Sequence, residues 1–333
     1  MKLAPALFLG AAVAAALAFL SVLFGTTPIS PVDVFAAIGD AMSADDRPSS
    51  PLERVVVDLR LPRVVVAVCA GAGLGMVGAM LQTVTRNDLA DPFLFGLSSG
   101  AAAGAVLVIT TTGDRLGFWT LPLAAFAGGI LAALIVVTLL RQLGTHAPEK
   151  LILAGLAVSF VFSALTNYLI FAGDQRAAHS ILFWSLGGLG LSRWETVPLT
   201  VLGLMSLIAF AFARHRHLDA LLGGNDTARS LGIEIESLHL RIILVCSFAT
   251  AIFVSVTGVI GFLGLVVPHI ARAISGPLHL PCLSLSAVTG AAMLLASDVL
   301  ARVLLAPQEL PVGIVTTAIG AAFVALLLLK ARR

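Results

Sequence analysis

The chain has 333 residues, 59% of them hydrophobic and only 11% charged, with a formal net charge of +2. Soluble domains carry about 25% charged and 45–50% apolar residues. Together with a mean hydropathy of +1.03, these values exclude a soluble enzyme, a nucleic-acid binder and a disordered protein. The apolar residues come in long runs rather than short alternating strands, so an all-α integral membrane protein is expected. Cys69, Cys246 and Cys282 lie inside apolar runs without CxxC spacing and read as small buried hydrophobes.

A spanning helix takes about 20 mostly apolar residues. Ten spans are predicted, at 3–24, 62–83, 93–111, 118–140, 150–172, 194–213, 238–257, 259–274, 281–305 and 311–329. They form a single transmembrane domain over 1–333. The first apolar stretch is longer than a signal-peptide core and no clear small-x-small site follows it, so a span is predicted there. The eighth is short and broken by Gly261, Gly264 and Pro268. An even number of spans puts both termini on one side. Lysine and arginine are then in excess on the side of the termini, twelve against eight, which predicts that both termini are cytoplasmic.

Three connections are longer than turns. Residues 25–61, on the outer side, open with Ser30-Pro31, a side-chain cap followed by proline at the first helical position. Val34, Phe35, Ile38 and Met42 then share a helical face, which predicts a short helix in the outer interface. This connection closes on Arg60-Leu61-Pro62-Arg63. In 173–193, Trp184 and Trp194 suit an aromatic belt at the outer surface. Residues 214–237 are too polar for lipid. Gly223-Gly224 breaks the chain, Asn225 can cap a new helix, and Gly232 can end it after Leu231. A solvated loop would fit, but capping at both ends favours short docking helices on the inner surface, with Asp226, Arg229 and Glu234 outward.

Inside the spans, Gly71, Gly73, Gly75 and Gly78 cluster, and Gly96, Gly100 and Gly104 form a small-residue stripe that lets backbones touch. Acidic and histidine groups near span middles, which an ion-coupled carrier uses, are scarce. Asp298 and Arg302 are four apart in the ninth span and are expected to pair. The chain has no GxxxxGK[ST] phosphate loop, so an ATP-driven carrier would need its ATP site on another polypeptide. His215 and His217 sit beside Arg214 and Arg216 and read as a basic inner-face cluster rather than a metal site. No catalytic or metal-binding residue is assigned, because no Ser/His, Asp/Asp or His–metal set clusters within the spans.

Six segments resemble one family. They are Arg60-Leu-Pro-Arg63, Gln82 through Asn87-Asp-Leu-Ala-Asp-Pro-Phe-Leu-Phe-Gly96, Ser98-Ser-Gly100, Ala228-Arg-Ser-Leu-Gly-Ile233, Gly261-Phe-Leu-Gly-Leu-Val-Val-Pro-His-Ile-Ala-Arg272 and Glu309-Leu-Pro-Val-Gly-Ile-Val-Thr-Thr-Ala-Ile-Gly320. In this order they are similar to the permease subunits of type II ABC importers for iron-siderophores, haem and vitamin B12. The likeness runs from about residue 54 to 329.

The resemblance implies a vitamin B12 permease-like fold with ten helices per subunit, in the bacterial inner membrane. It implies a second permease subunit, with a homodimer expected, and two cytoplasmic ATPase subunits that carry ATP and Mg. A periplasmic binding protein would dock on the outer face, and no cofactor would be bound by this chain. Arg60, Arg63 and Arg302 match the arginines that meet glutamates of the binding protein. Arg302 cannot serve fully there and in a tight pair with Asp298. Asn225, Asp226, Thr227, Ala228, Arg229, Ser230, Leu231, Gly232 and Ile233 match the ATPase-coupling segment. Asn87, Asp88 and Leu89 match the cytoplasmic gate, with His146 in a second closure. The family often has Asn-Pro-Leu-Ala where this chain has Asn87-Asp88-Leu89-Ala90, so a backbone N–H is freed and a charge added. The implied activity is ATP-driven import of a ferric siderophore by alternating access. Haem and cobalamin are the alternative cargoes, and an ion-coupled secondary transporter is the rival class.

Overall fold

The structure is a computed structural model that describes residues 3–25, 27–43, 50–113, 117–142, 148–173 and 177–330. Among these the chain is helical, without strands. In chain order the helices are α1 (Leu3–Leu23), α2 (Pro31–Met42) and α3 (Pro51–Arg54), which runs through a π-helical stretch (Val55–Arg60) into α4 (Leu61–Thr85). A 3-10 turn (Pro92–Phe95) precedes α5 (Leu97–Thr111), followed by α6 (Thr120–Gln142), α7 (Pro148–Ala172) and α8 (Ala178–Ser185). Then come α9 (Val197–Leu222), α10 (Asn225–Ser230), α11 (Ile235–Thr257), α12 (Leu263–Ser275), α13 (His279–Val303) and α14 (Val312–Lys330). Eight of these helices are long and apolar enough to cross a membrane, and α5 and α12 are shorter apolar helices. Those ten coincide with the predicted spans.

α4 is the central post, with 89% of its most apolar window buried against α9, α11, α12 and α13. Small residues make this possible. A side chain at Gly78 would collide with the backbone of Gly264 in α12, and one at Gly71 with that of Gly290 in α13. Two glycines of the predicted stripe work likewise, Gly100 and Gly104 of α5 lying on the backbones of Gly128 and Ala124 in α6, whereas Gly96 stands before the helix at φ +75°. By contrast, α1 and α14 bury only 22% and 28% of theirs, and their outward residues are apolar, such as Phe8 and Leu328.

α5 and α12, at 15 and 13 residues, reach roughly 22 and 20 Å, short of the ~30 Å hydrocarbon layer. Residues 87–96 and 258–262 supply the missing length. Irregular backbone at membrane depth survives only where protein or a cavity covers it. Here the two irregular segments meet: Leu89, Asp91, Phe93, Gly261 and Phe262 line one 640 Å³ cavity together with α14. Phe262 holds a left-handed φ of +67° at the head of α12, an expensive conformation for a bulky residue. Its ring packs on Gly320 of α14, where any side chain would collide.

Several expectations need correction. α9 runs on to Leu222, so the inner connection is shorter than predicted and His215 and His217 are helical. Trp184 is buried rather than in a surface belt, whereas Trp194 is half exposed and donates its Nε1–H to the Val57 carbonyl at 2.8 Å. α2 forms as predicted, with the Ser30 hydroxyl accepting from Asp33 N–H at 3.2 Å. Its buried side is Val34 and Ala37 on Val22, Ile29 and Val56, while Phe35 is exposed.

The glycine contacts carry a measurable cost. Gly78→Ala is expected to destabilise by about 1–3 kcal/mol through forced separation of α4 and α12. Gly39→Ala, in an exposed helix position with open space around it, is expected to be neutral or stabilising by under about 1 kcal/mol. Thermal unfolding of the purified variants in one detergent checks both.

Candidate functional site

Two polar constellations stand at opposite ends of the bundle. The first surrounds the C-terminal end of α1, on the predicted outer face. The last carbonyls of a helix have no partner within it, and at a membrane edge they need one. Arg60 supplies it, donating to the carbonyls of Val22 at 2.6 Å, Leu23 at 2.9 Å and Thr27 at 2.5 Å. Arg302 donates to the carbonyls of Ser21 at 3.0 Å and Phe24 at 2.7 Å, and to the Ser21 hydroxyl at 2.6 Å.

Asp298 lies fully buried between them. It pairs with Arg302 at 2.7 Å, as the i,i+4 spacing predicted, and with Arg63 at 2.8 Å. Arg63 also pairs with Glu309 at 2.9 Å, beside the loop that leads into α14. The cluster thus holds three guanidinium groups against two carboxylates. One positive charge is left over, offset in part by the negative end of the α1 dipole.

The structure therefore brings the three predicted docking arginines together, but turns two of them inward. Arg60 and Arg302 are buried and committed to α1 carbonyls, and Arg63 is only slightly exposed. All three line a crevice with Gly25, Leu59 and Glu309. Ser21 and Glu309 were missed by the sequence reading, because no local spacing links them to the arginines.

The second constellation lies where α4, α9, α12 and α13 end near α10. The short helix α10 forms where capping predicted it, but Gly224 is its cap and Asn225 its first residue. Gly232, at φ +79°, ends it as expected, with Ile233 N–H donating to the Ala228 carbonyl at 3.1 Å. Ala228 is buried, while Asp226, Thr227, Arg229, Ser230 and Leu231 are exposed. The segment thus presents an outward face of mixed polarity.

The predicted gate residues adjoin it. Asn87 Oδ1 accepts from Leu89 N–H at 2.9 Å, a side-chain turn that shapes the loop. Asp88 is exposed and pairs with Arg272 at 3.2 Å. Leu89 is half exposed on the wall of the 640 Å³ cavity. His146 lies outside the described residues. Nearby, Asp219 of α9 accepts from both His279 N–H, at 2.7 Å, and His279 Nδ1, at 2.8 Å. The carboxylate thereby caps α13, and His279 Nε2 meets the Thr83 hydroxyl at 2.8 Å. Gln82 and Arg272 stood within the recognised segments without a role, and the structure supplies one below.

Among the described residues, eight helices long and apolar enough to cross a membrane and two shorter apolar ones make up a multi-helix membrane bundle with a polar constellation at each end. The chain belongs to the FecCD transport family, whose model matches residues 13–330. It is 40% identical over 273 residues to the cobalamin import system permease protein of Halobacterium salinarum, covering 81% of this chain and 72% of that one. It is 35% identical over 279 residues to the hemin transport system permease protein of Yersinia pestis, covering 83% of each. A solved inward-facing ABC transporter of the metal-chelate type superposes with a TM-score of 0.84 at 28% identity, over 97% of this chain and 98% of that one. This chain is accordingly a permease subunit of an ABC importer, in the family that serves iron chelates, haem or vitamin B12. It is a transport subunit rather than an enzyme, and ATP hydrolysis belongs to a separate subunit.

Charge balance at the first constellation sets a stability prediction. Asp298→Ala strands two buried guanidinium groups and is expected to cost about 3–5 kcal/mol. Glu309→Gln, at a part-exposed pair, is expected to cost less than about 1 kcal/mol. Thermal midpoints in detergent, read side by side, test the contrast.

Proposed function

We propose that this chain carries a ferric siderophore, or a chemically similar iron chelate, from periplasm to cytoplasm across the bacterial inner membrane. The observation that carries this reading is the superposition on a metal-chelate-type transporter across nearly the whole chain. The permease works as a pair of identical subunits with both termini in the cytoplasm, above two ATPase subunits that hold ATP and Mg. The loaded binding protein docks over the Arg60–Arg63–Arg302 crevice. Its left-over positive charge suits a carboxylate through charge attraction, the arginines' N–H groups being largely engaged by Asp298, Glu309 and carbonyls near the end of α1.

ATP binding then moves the Asn225–Ile233 segment, whose exposed face offers the contact. Asn87, Asp88 and Leu89 form the inner gate, and opening it joins the apolar cavity beside α14 to the cytoplasm. An apolar wall suits the task, because a site that bound the chelate tightly would hold it. Cobalamin and haem are the second readings, favoured by the 40% identity to a cobalamin permease and the 35% identity to a hemin permease.

Reconstitution with the cognate ATPase and binding protein tests these readings. ATP-dependent uptake of iron-loaded siderophore into vesicles, at least tenfold above haem and cobalamin, is the expected result. Preferred uptake of haem or cobalamin would reassign the cargo. Uptake driven by an ion gradient without ATPase would overturn the mechanism.

A further inference from the structure

The loop Asn87–Asp91 is held from two sides by side chains outside it. α4 ends in a turn in which Asn87 N–H donates to the Gln82 carbonyl at 3.2 Å, with Arg86 at a left-handed φ of +48°. That position ordinarily belongs to glycine. From it, Arg86 Nη2 reaches α10 and donates to Asn225 Oδ1 at 2.7 Å. On the other side, Arg272 Nη2 of α12 donates to Asp88 Oδ1 at 3.2 Å and also to Gln82 Oε1. Gln82 is buried, and its Nε2 donates to the carbonyls of Ala90 at 3.3 Å and Gly264 at 3.0 Å. One run of hydrogen bonds therefore strings together α10, the end of α4, the loop and α12. Gln82, Arg86, Asp88 and Arg272 also line a common 420 Å³ cavity.

We propose that Arg86 is a positioning residue that makes α10 and the Asn87–Asp91 loop move as one body, with Asp88 and Arg272 passing the displacement to α12. The inference rests on the reading of α10 as the ATPase-facing segment. Its physical basis is the turn itself. A non-glycine residue at positive φ has a nearby right-handed alternative, so the turn has two states. The bond to Asn225 favours one of them. Displacing α10 shifts that balance and re-aims the loop that leaves Arg86. Asp88, which stands where the family often has proline, provides through its side chain the hold on α12 that proline could not.

Arg86→Gly is the decisive variant, because it keeps the left-handed turn, relieves its strain and removes only the side chain. Asn225→Ala removes the acceptor. In vesicles containing the full complex, both are expected to move about fivefold less cargo per ATP, the ratio one lost hydrogen bond of ~1 kcal/mol gives, and Arg86→Gly, which lies outside the coupling segment, is expected to assemble and hydrolyse ATP as the unsubstituted complex does. The exchange Arg86→Asn with Asn225→Arg is expected to restore at least half of the native ratio. A second readout needs no cargo. Spin labels at Leu89→Cys and Ser230→Cys are expected to show one narrow distance distribution in the native background and a broad one in Arg86→Gly. Native coupling together with a narrow distribution in Arg86→Gly would overturn the proposal. If the unsubstituted complex moves no chelate, the cargo reading fails, and the spin-label comparison still decides the link.

Discussion

The buried carboxylate of Asp298 is the charge on which one end of the bundle depends. A guanidinium taken from water into a low-dielectric site costs several kcal/mol unless a partner and hydrogen bonds replace the lost hydration. Asp298 provides the partner for Arg302 and Arg63 at once. With its charge compensated, Arg302, together with its neighbour Arg60, can spend its remaining N–H groups on the carbonyls that α1 leaves open. A helix with few buried side chains, lying along α13, is thereby fastened at its end as well. The same groups couple α1, α4, α13 and the approach to α14 into one rim.

Backbone satisfaction governs the interior in the same way. Two of the ten apolar helices are too short to cross, and their irregular extensions are sheltered against each other and against α14. Where those extensions meet, a cavity opens, because irregular backbone packs less densely than helix on helix. The cavity is thus a by-product of where the regular structure stops. Gln82 is the polar side chain that keeps this stop in order, since it pairs with carbonyls of both extensions' neighbours, Ala90 and Gly264.

Much of this was legible in the sequence, and particular residues show why. Span positions follow from hydropathy, which is a local property, so all ten were found to within a few residues at most ends. α2 and the end of α10 were readable because Ser30-Pro31 and Gly232 act on their own neighbours. The Asp298–Arg302 pair was readable from helical spacing. The hidden parts are those that only folding brings together. Arg60 was expected at the outer surface because it closes the long outer connection, yet its partners lie 33 to 38 residues earlier in the chain. Trp184 was placed in a belt by its type and buried by its packing. Asn225 was read as a cap from its identity, but Gly224 takes that place, and its side chain is engaged by Arg86, 139 residues away.

The glycine contacts along α4 have a mechanical consequence. Where Gly71 and Gly78 rest on the backbones of Gly290 and Gly264, no α4 side chain separates the helices, while the buried Leu74, Met76 and Met80 fill the core around those points. The arginine rim, by contrast, is pinned by many directional bonds. The other end of α4 is held by hydrogen bonds too, from Gln82 to Gly264 and between Thr83 and His279. With 25 residues, α4 is roughly 37 Å long, and a tilt of about 5° about the pinned rim moves its far end by about 3 Å, close to the reach of a hydrogen bond.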